Sequence, residues 1–163
     1  MTGDATTALI HRIEDQERHL RLPRFDNEDA WLLGTLLVGL ARAEGAPVVV
    51  DIRRNGQQLF HYALPGSSAD NDAWILRKAR TVDRYGHSSY LVGLRFAAKG
   101  GSFEQDSRLD PDTYAAHGGA FPITVEGVGV VGTVAVSGLA QAEDHRLVVT
   151  ALERHLDRLA APA

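Results

Sequence analysis

Apolar residues recur at intervals of three and four along three long segments, the spacing of one face of an α-helix. The first segment runs from Thr7 to Leu20 and has a narrow apolar face. The second, Trp31 to Ala43, is apolar on most sides, and Asp26 lies where an N-cap would start it. The third, Leu147 to Leu159, has the clearest amphipathic pattern. We therefore predict three long helices, the second too apolar for one small sheet to cover.

Two β-rich runs, Val48 to Arg53 and Gln58 to Leu64, flank the dipeptide Asn55-Gly56. Asn-Gly tolerates the positive φ angles of a type I′ turn, so the pattern predicts a hairpin. The predicted register gives one face with Val50, Ile52, Leu59 and His61, and another with Val49, Asp51, Phe60 and Tyr62.

The second half of the chain predicts helices over Asn71 to Tyr85 and from Ser88 or Ser89 to Lys99. Asp110-Pro111 is typical of a helix start, which predicts a short helix to Ala116. Two valine-rich runs between Phe121 and Val136 predict a second hairpin. The order α-α-β-β-α-α-β-β-α predicts an α/β (α+β) fold: a single small antiparallel sheet of two hairpins packed with about five helices.

Composition narrows the classes of function. A length of 163 residues fits a single domain over residues 1–163. The chain has no cysteine, which excludes disulfides and thiolate chemistry and suits a reducing compartment. The first eight residues lack a signal-peptide pattern, and no apolar run approaches the ~20 residues that cross a bilayer. With a net charge of −4, we expect a cytoplasmic protein that binds neither nucleic acid nor membranes.

The glycine-rich run near the second hairpin holds the main candidate site. In His117-Gly118-Gly119, glycines let backbone amides approach a ligand, and the histidine can supply a proton or a bond to a metal. Ser137-Gly138 precedes the last helix, whose N-terminus attracts anions. The alternative is that these three glycines only form sharp turns.

A second candidate is a row of arginines at helical spacing. Arg77, Arg80 and Arg84 would share one helix face, followed closely by Ser88, Ser89 and Tyr90. Arginine forks and hydroxyl groups bind carboxylates and phosphates. The alternative is a solvated helix face.

The seven histidines show no metal-binding spacing, so we predict no metal site. A nucleophile elbow is also missing, because Ala135 stands two residues before Ser137 where that motif has glycine. Catalytic residues therefore stay unknown from the sequence.

The segments His117 to Ile123 and Gly129 to Leu139 resemble the haem-degrading-type domain family, which includes the GlcG and HbpS proteins and the C-terminal domain of PduO. Other stretches resemble one bacterial and fungal branch of that family: Pro23–Asp26, Asp51–Arg54, Ala63–Gly66, Arg77-Lys78 and Ser88–Tyr90. The resemblance implies a central antiparallel sheet, symmetric homo-oligomers and, from some members, haem as a cofactor.

The leading hypothesis is a domain that binds a small anionic ligand within a homo-oligomer, with haem or another tetrapyrrole as the candidate implied by the resemblance. The site residues would be His117, Gly118, Gly119, Ser137, Gly138, Arg77, Arg84, Ser88, Ser89 and Tyr90. One alternative is a protein-interaction or assembly factor without small-molecule chemistry. Another is an enzyme acting on a small organic acid, with His117 as general base.

Overall fold

The helices and strands follow the predicted alternation closely. The structure, a computed structural model, describes residues 2–162. Its helices are α1 (Gly3–His19), α2 (Asn27–Ala43), α3 (Ala69–Tyr85), α4 (Ser89–Ala98), α5 (Phe103–Asp106) and α6 (Gln141–Ala160). Its strands are β1 (Arg21–Leu22), β2 (Val49–Arg54), β3 (Gln57–Ala63), β4 (Ala120–Val125) and β5 (Gly129–Ser137). The α/β class is confirmed, as are both hairpins, β2–β3 and β4–β5.

The five strands form one sheet in the order β1-β4-β5-β2-β3. All neighbours are antiparallel except β1, which runs parallel to β4 with Arg21 paired to Thr124. The prediction of a purely antiparallel sheet of two hairpins is therefore wrong by this one strand. A strand of two residues is too short to show hydrophobic alternation, and Leu22-Pro23 predicts only that the preceding helix has ended.

Helices cover both faces of the sheet. On one face α2 and α6 pack over inward side chains that include Ile52, Phe121 and Val134. On the other face α3 packs over a smaller cluster that includes Val49 and Ala135. Helix α1 packs against α4 beside this sandwich. Within residues 2–162, no helix is both long and apolar enough to cross a membrane.

The start of α2 confirms the predicted cap. Asp26 accepts a hydrogen bond from the Asp29 backbone N–H at 2.9 Å, and the Asp29 side chain accepts one from the Asp26 N–H at 3.0 Å. Only one face of the helix is buried, because Trp31 and Leu32 are 59% and 44% exposed. The excess apolar surface expected from the sequence therefore lies at the start of α2.

The predicted register of the first hairpin is wrong. The turn at Asn55-Gly56 forms, but the register shifts between Ile52 and Arg53, so that Ile52 pairs with Phe60 and not with Leu59. This bulge places the β3 side chains on the opposite face of the sheet from the one predicted, and the alternation of apolar residues in the sequence does not reveal a bulge. Phe60 thus faces α2, and His61 faces α3, where it lies 2.6 Å from Asp72.

The short helix predicted from Asp110 to Ala116 does not form. Asp110 does accept hydrogen bonds, from the backbone N–H of Asp112 and the hydroxyl of Thr113, but only a turn follows. The Ala115 N–H donates to the carbonyl of Arg77 on α3 at 3.2 Å. This tertiary hydrogen bond takes the place of the helical one, and the one-turn helix α5 forms earlier in the chain.

His145 on α6 joins α1 to the core. Its Nε2 lies 2.7 Å from the Gln16 side-chain oxygen on α1, and its ring packs edge-on against Tyr90 at 5.3 Å. Burial lowers the pKa of His145 to about 4. Its buried Nδ1 has no hydrogen-bond partner within residues 2–162, which suits a neutral ring whose only proton is on Nε2.

Two glycines of α2 allow a matched test of its packing on β3. A Cβ at Gly34 would overlap the Phe60 ring, whereas a Cβ at Gly39 would meet no atom within 4 Å. We expect Gly39→Ala to stabilise the protein by up to about 1 kcal/mol, through helix propensity. Gly34→Ala should destabilise it by about 1–3 kcal/mol, through overpacking. Denaturant unfolding measures both, and equal stabilisation by the two substitutions would contradict the close packing.

The neutral state of His145 predicts a loss of stability in acid. In the unfolded chain this histidine takes up a proton near pH 6.5, while in the folded protein it stays neutral down to about pH 4. The free energy of unfolding should therefore fall as the pH drops from 6.5 to 4, by up to about 3 kcal/mol from this residue. Urea titrations of wild type and His145→Gln should show a shallower fall in the variant. Part of the fall should remain, because burial also lowers the pKa of His155. Identical pH dependence in both proteins would contradict the assignment.

Candidate functional site

The second hairpin brings the two ends of the glycine-rich run together. β4 and β5 are antiparallel, and Ala120 at the start of β4 pairs with Ala135 near the end of β5. The residues before β4 and those after β5 therefore meet at the same edge of the sheet. The cavity at this edge measures about 220 Å³ and is lined by Asn71, Trp74, Lys78, His117, Gly118, Ser137, Gly138, Leu139, Gln141 and Asp144. We call it the polar cavity.

A buried lysine forms one wall of the polar cavity. Lys78 on α3 is only 2% exposed. Its Nζ donates to the carbonyls of Gly118 at 3.0 Å and Val136 at 2.6 Å, and lies 3.5 Å from an Asp144 carboxylate oxygen. Burial lowers the pKa of Lys78 to about 8, although the nearby Asp144 carboxylate opposes this. The lysine thus joins α3, the start of β4, the end of β5 and α6.

Asp144 accepts hydrogen bonds from the backbone amides that directly follow β5. Its carboxylate accepts hydrogen bonds from the N–H groups of Gly138 at 3.3 Å and Leu139 at 2.9 Å. Burial raises the pKa of Asp144, against the opposing effect of Lys78 and of these two amides. The predicted anion site at Ser137-Gly138 is therefore filled by the carboxylate of Asp144, a side chain of the protein itself.

The glycines before β4 make room for this arrangement. Gly119 has a φ of 129°, and a Cβ there would overlap the Lys78 ammonium group and the Val136 carbonyl. Gly118 donates its N–H to the side-chain oxygen of Gln141 at 3.0 Å. The Gly118 amide is therefore already hydrogen-bonded within the protein, and Gly119 packs directly against the Lys78 ammonium group.

His117 separates the polar cavity from a second one. Its ring packs edge-on against Trp74 at 5.1 Å, and its Nε2 lies 3.9 Å from a Glu104 carboxylate oxygen. The side chain is half exposed. The second cavity, about 320 Å³, is lined by Tyr90, Gly93, Leu94, Ala97, Gly101, Ser102, Phe103, Glu104, Ala116, His117 and Gln141. We call it the apolar cavity, and His117 and Gln141 border both cavities.

The predicted arginine row lies mostly away from the cavities. Arg77 stacks on the Trp74 ring at 4.3 Å, beside the polar cavity, and its Nε donates to the Pro111 carbonyl at 3.0 Å. Arg84 lies over the Tyr114 ring at 5.8 Å and lines neither cavity.

The serines before Tyr90 have local partners. Ser88 caps α4 by accepting a hydrogen bond from the Leu91 N–H at 3.2 Å. The Ser89 hydroxyl accepts from the Ala120 N–H at 3.1 Å and lies 3.3 Å from its carbonyl. Both serines are buried outside the two cavities, so of this segment only Tyr90 reaches a cavity wall.

Sequence reasoning missed Lys78 and Asp144 as site residues. In the sequence Lys78 lies beside the arginine row, and Asp144 falls in the first turn of α6, where the helix dipole alone explains an acidic residue. The available signal was that Lys78 is one of only two lysines in the chain and falls on the apolar side of α3. Among the described residues, no three histidine or acidic side chains cluster in a way that could hold a metal ion.

Relatives match almost the whole chain. A UPF0303 protein of Streptomyces avermitilis is 68% identical over 158 residues, which cover 97% of each chain. A UPF0303 protein of Streptomyces coelicolor is 65% identical and covers 96% of this chain and 99% of its own length.

Solved structures share the fold. The crystal structure of the Ybr137w protein has a TM-score of 0.86 and 34% identity, covering 93% of this chain and 90% of its own. The structure of a PduOC–haem complex has a TM-score of 0.68 and 20% identity, covering 79% of this chain and 93% of its own. At that identity the similarity shows the fold alone.

The family model for haem-degrading HbpS-like proteins matches residues 25–153, which include both hairpins and every residue that lines the polar cavity. The chain therefore belongs to the HbpS-like family of haem-degrading proteins.

Proposed function

We propose that the chain binds a small anionic ligand at the two cavities that meet at His117, with haem or another tetrapyrrole as the first candidate. The observation that carries the proposal is the position of His117, half exposed between a polar and an apolar cavity. Ligand sites typically combine apolar walls with a few polar groups that fix orientation. The family and the PduOC–haem structure make a tetrapyrrole the first ligand to test.

The residues around His117 suit a tetrapyrrole. Imidazole is a common axial ligand of haem iron. Trp74 and Glu104 flank the His117 ring, which restricts its orientation, as partners of a ligating histidine commonly do. The bound group would supply iron chemistry, while the apolar wall of Tyr90 and Phe103 would cover its ring.

Arg77 is the predicted arginine that suits a ligand carboxylate. It lies beside the polar cavity, and the carbonyl of Pro111 engages only its Nε. The terminal guanidinium nitrogens can therefore form paired hydrogen bonds with a carboxylate. The backbone amides of Gly118 and Gly138 are already bonded to Gln141 and Asp144, so side chains must supply the anion contacts.

A haem titration tests this function. Wild type should develop a Soret band that saturates at a fixed stoichiometry. His117→Ala should weaken binding at least about tenfold or shift the band, because the imidazole that would bind the iron is lost. His11→Ala is the matched control, since His11 is also exposed but lies on α1 outside both cavities. No saturable band in wild type, or the same band in His117→Ala, would contradict the proposal.

We also propose that the chain acts as a homo-oligomer whose copies pair through β3. This strand lies at the edge of the sheet, and its sequence Gln57–Ala63 has no proline, lysine, arginine or acidic residue. Proteins commonly use such residues to prevent edge strands from pairing. Trp31 and Leu32 lie next to this edge, with the Trp31 ring 6.0 Å from that of Phe60. A second copy pairing antiparallel to β3 would cover these exposed side chains.

Light scattering tests the association. The wild-type mass should be a multiple of 17.7 kDa at micromolar concentration, and Trp31→Glu should lower it because burying a charge at this edge is costly. Val128→Glu, at a residue 72% exposed in the β4–β5 turn, should leave the mass unchanged. A monomeric wild type, or dissociation by Val128→Glu alone, would contradict pairing through β3.

A further inference from the structure

Lys78 has an unusual position for a lysine that only holds elements together. Its Nζ is buried among two carbonyls and one carboxylate, yet the residue also lines the polar cavity. Gly119, where any side chain would overlap the ammonium group, keeps this position open. A desolvated lysine amine beside a cavity can attack a carbonyl compound, and an adjacent carboxylate can accept and return the proton.

The other groups in the polar cavity define which carbonyl compound fits. Asn71 and Gln141 each accept a backbone N–H through the side-chain oxygen, from Ser68 and Gly118 respectively. Their NH₂ groups therefore remain as hydrogen-bond donors, as do the indole N–H of Trp74 and the ring of His117. The acceptor Asp144 is already engaged by Lys78 and two amides. Such a surplus of donors suits a ligand that carries a carboxylate.

The volume sets the size of the ligand. A cavity of about 220 Å³ holds a molecule no larger than a single amino acid and not a tetrapyrrole. A short 2-oxo acid has both the carboxylate that the donors require and a carbonyl next to it.

We propose that Lys78 forms an imine with a small 2-oxo acid bound in the polar cavity, with Asp144 as the group that moves the proton. This inference goes beyond ligand binding at His117 and does not rest on tetrapyrrole binding, which the haem titration tests separately.

The reaction balances with groups that the cavity contains. The Lys78 ammonium gives one proton to Asp144, and the nitrogen lone pair forms a bond to the carbonyl carbon of the 2-oxo acid. The carbonyl oxygen takes the proton from Asp144 to give a carbinolamine. A second proton passes from nitrogen to that oxygen by the same route, and the C–O bond breaks to release water. The product is a protonated imine, so one ammonium and one ketone yield one iminium ion and one water.

Burial of Lys78 favours the first step, although the Asp144 carboxylate beside it opposes the loss of the proton. With a pKa of about 8, Lys78 is half neutral at pH 8, whereas an ordinary lysine is mostly charged. The neutral fraction of Lys78 then exceeds that of a surface lysine roughly a hundredfold. Because the chain has only one other lysine, Lys99, which is exposed, each molecule contains its own comparison.

Reductive trapping tests the inference directly. The native protein is incubated at pH 8 with pyruvate and sodium cyanoborohydride, which reduces an imine to a stable carboxyethyl amine, and peptide mass mapping locates the label. We expect Lys78 to be labelled roughly tenfold or more faster than Lys99, because of its larger neutral fraction. The rate should saturate with pyruvate but not with acetone, which lacks the carboxylate.

Variants separate chemistry from structure. Lys78→Arg keeps the positive charge and should lose the label at residue 78 while Lys99 is labelled as before. Asp144→Asn removes a charge that raises the pKa of Lys78, so it should not reduce the neutral fraction of the lysine. Slower labelling of Lys78 in this variant, with Lys99 unaffected, is expected because the group that moves the proton is lost. Thermal melts establish whether each variant folds. If neither variant folds, the labelling rates of Lys78 and Lys99 in the wild-type protein still test the proposal. Label confined to Lys99 and the α-amino group, or reaching Lys78 only in guanidinium, would overturn the proposal. Normal trapping at Lys78 without a haem band would contradict only the proposed function at His117. A normal haem band without trapping at Lys78 would contradict only the imine proposal.

Discussion

The ammonium group of Lys78 is the point at which four parts of the fold meet. It lies on α3 and contacts the carbonyl before β4, the carbonyl at the end of β5 and the carboxylate of Asp144 on α6. Because α3 and α6 cover opposite faces of the sheet, this contact joins the two layers around the end of the central hairpin. Removing one partner of such a buried pair typically costs about 3–5 kcal/mol, because the other charge is left uncompensated. The geometry of the polar cavity therefore depends on this group.

The pair also explains why the glycine-rich run has its sequence. Gly119 must lack a side chain because Lys78 occupies that space, and Gly138 adopts a φ of 151° where a Cβ would overlap the backbone at Pro47. Asp144 reaches back from the first turn of α6 to bind the Gly138 and Leu139 amides, which fixes the angle at which α6 leaves the sheet. The glycines therefore form sharp turns and at the same time leave the space that Lys78 and the backbone at Pro47 occupy.

Local signals in the sequence were enough to predict most of the fold. The hairpin at Asn55-Gly56, the cap at Asp26 and the amphipathic α6 each depend on residues close in the chain. The wrong predictions concern segments whose conformation is determined by residues far away in the sequence. The bulge after Ile52 depends on how β3 packs against α2, and the chain near Ala115 follows a hydrogen bond to Arg77 instead of a helix. For the site, His117 and the glycines were chosen by residue type and by the family resemblance, and the antiparallel pairing of β4 and β5 brings them together. The Lys78–Asp144 pair was not predicted, because the two residues lie 66 positions apart and the resemblance at Arg77-Lys78 does not indicate a partner.

Asp144 finally limits what the site can recognise. The backbone amides of Gly138 and Leu139, just before α6, could bind an anion, but the Asp144 carboxylate already accepts hydrogen bonds from both. An external anion must then rely on side chains, and the donors lie at or beside the polar cavity: Asn71 and Trp74 line it, Arg77 lies beside it, and His117 borders both cavities. Gln141 borders both cavities and holds the Gly118 amide, so its orientation links them. A ligand that spans both cavities would compete with one confined to the polar cavity, because each needs the space beside His117 and Gln141. Occupation of one site by its ligand would therefore reduce the affinity of the other, and this coupling would be reciprocal.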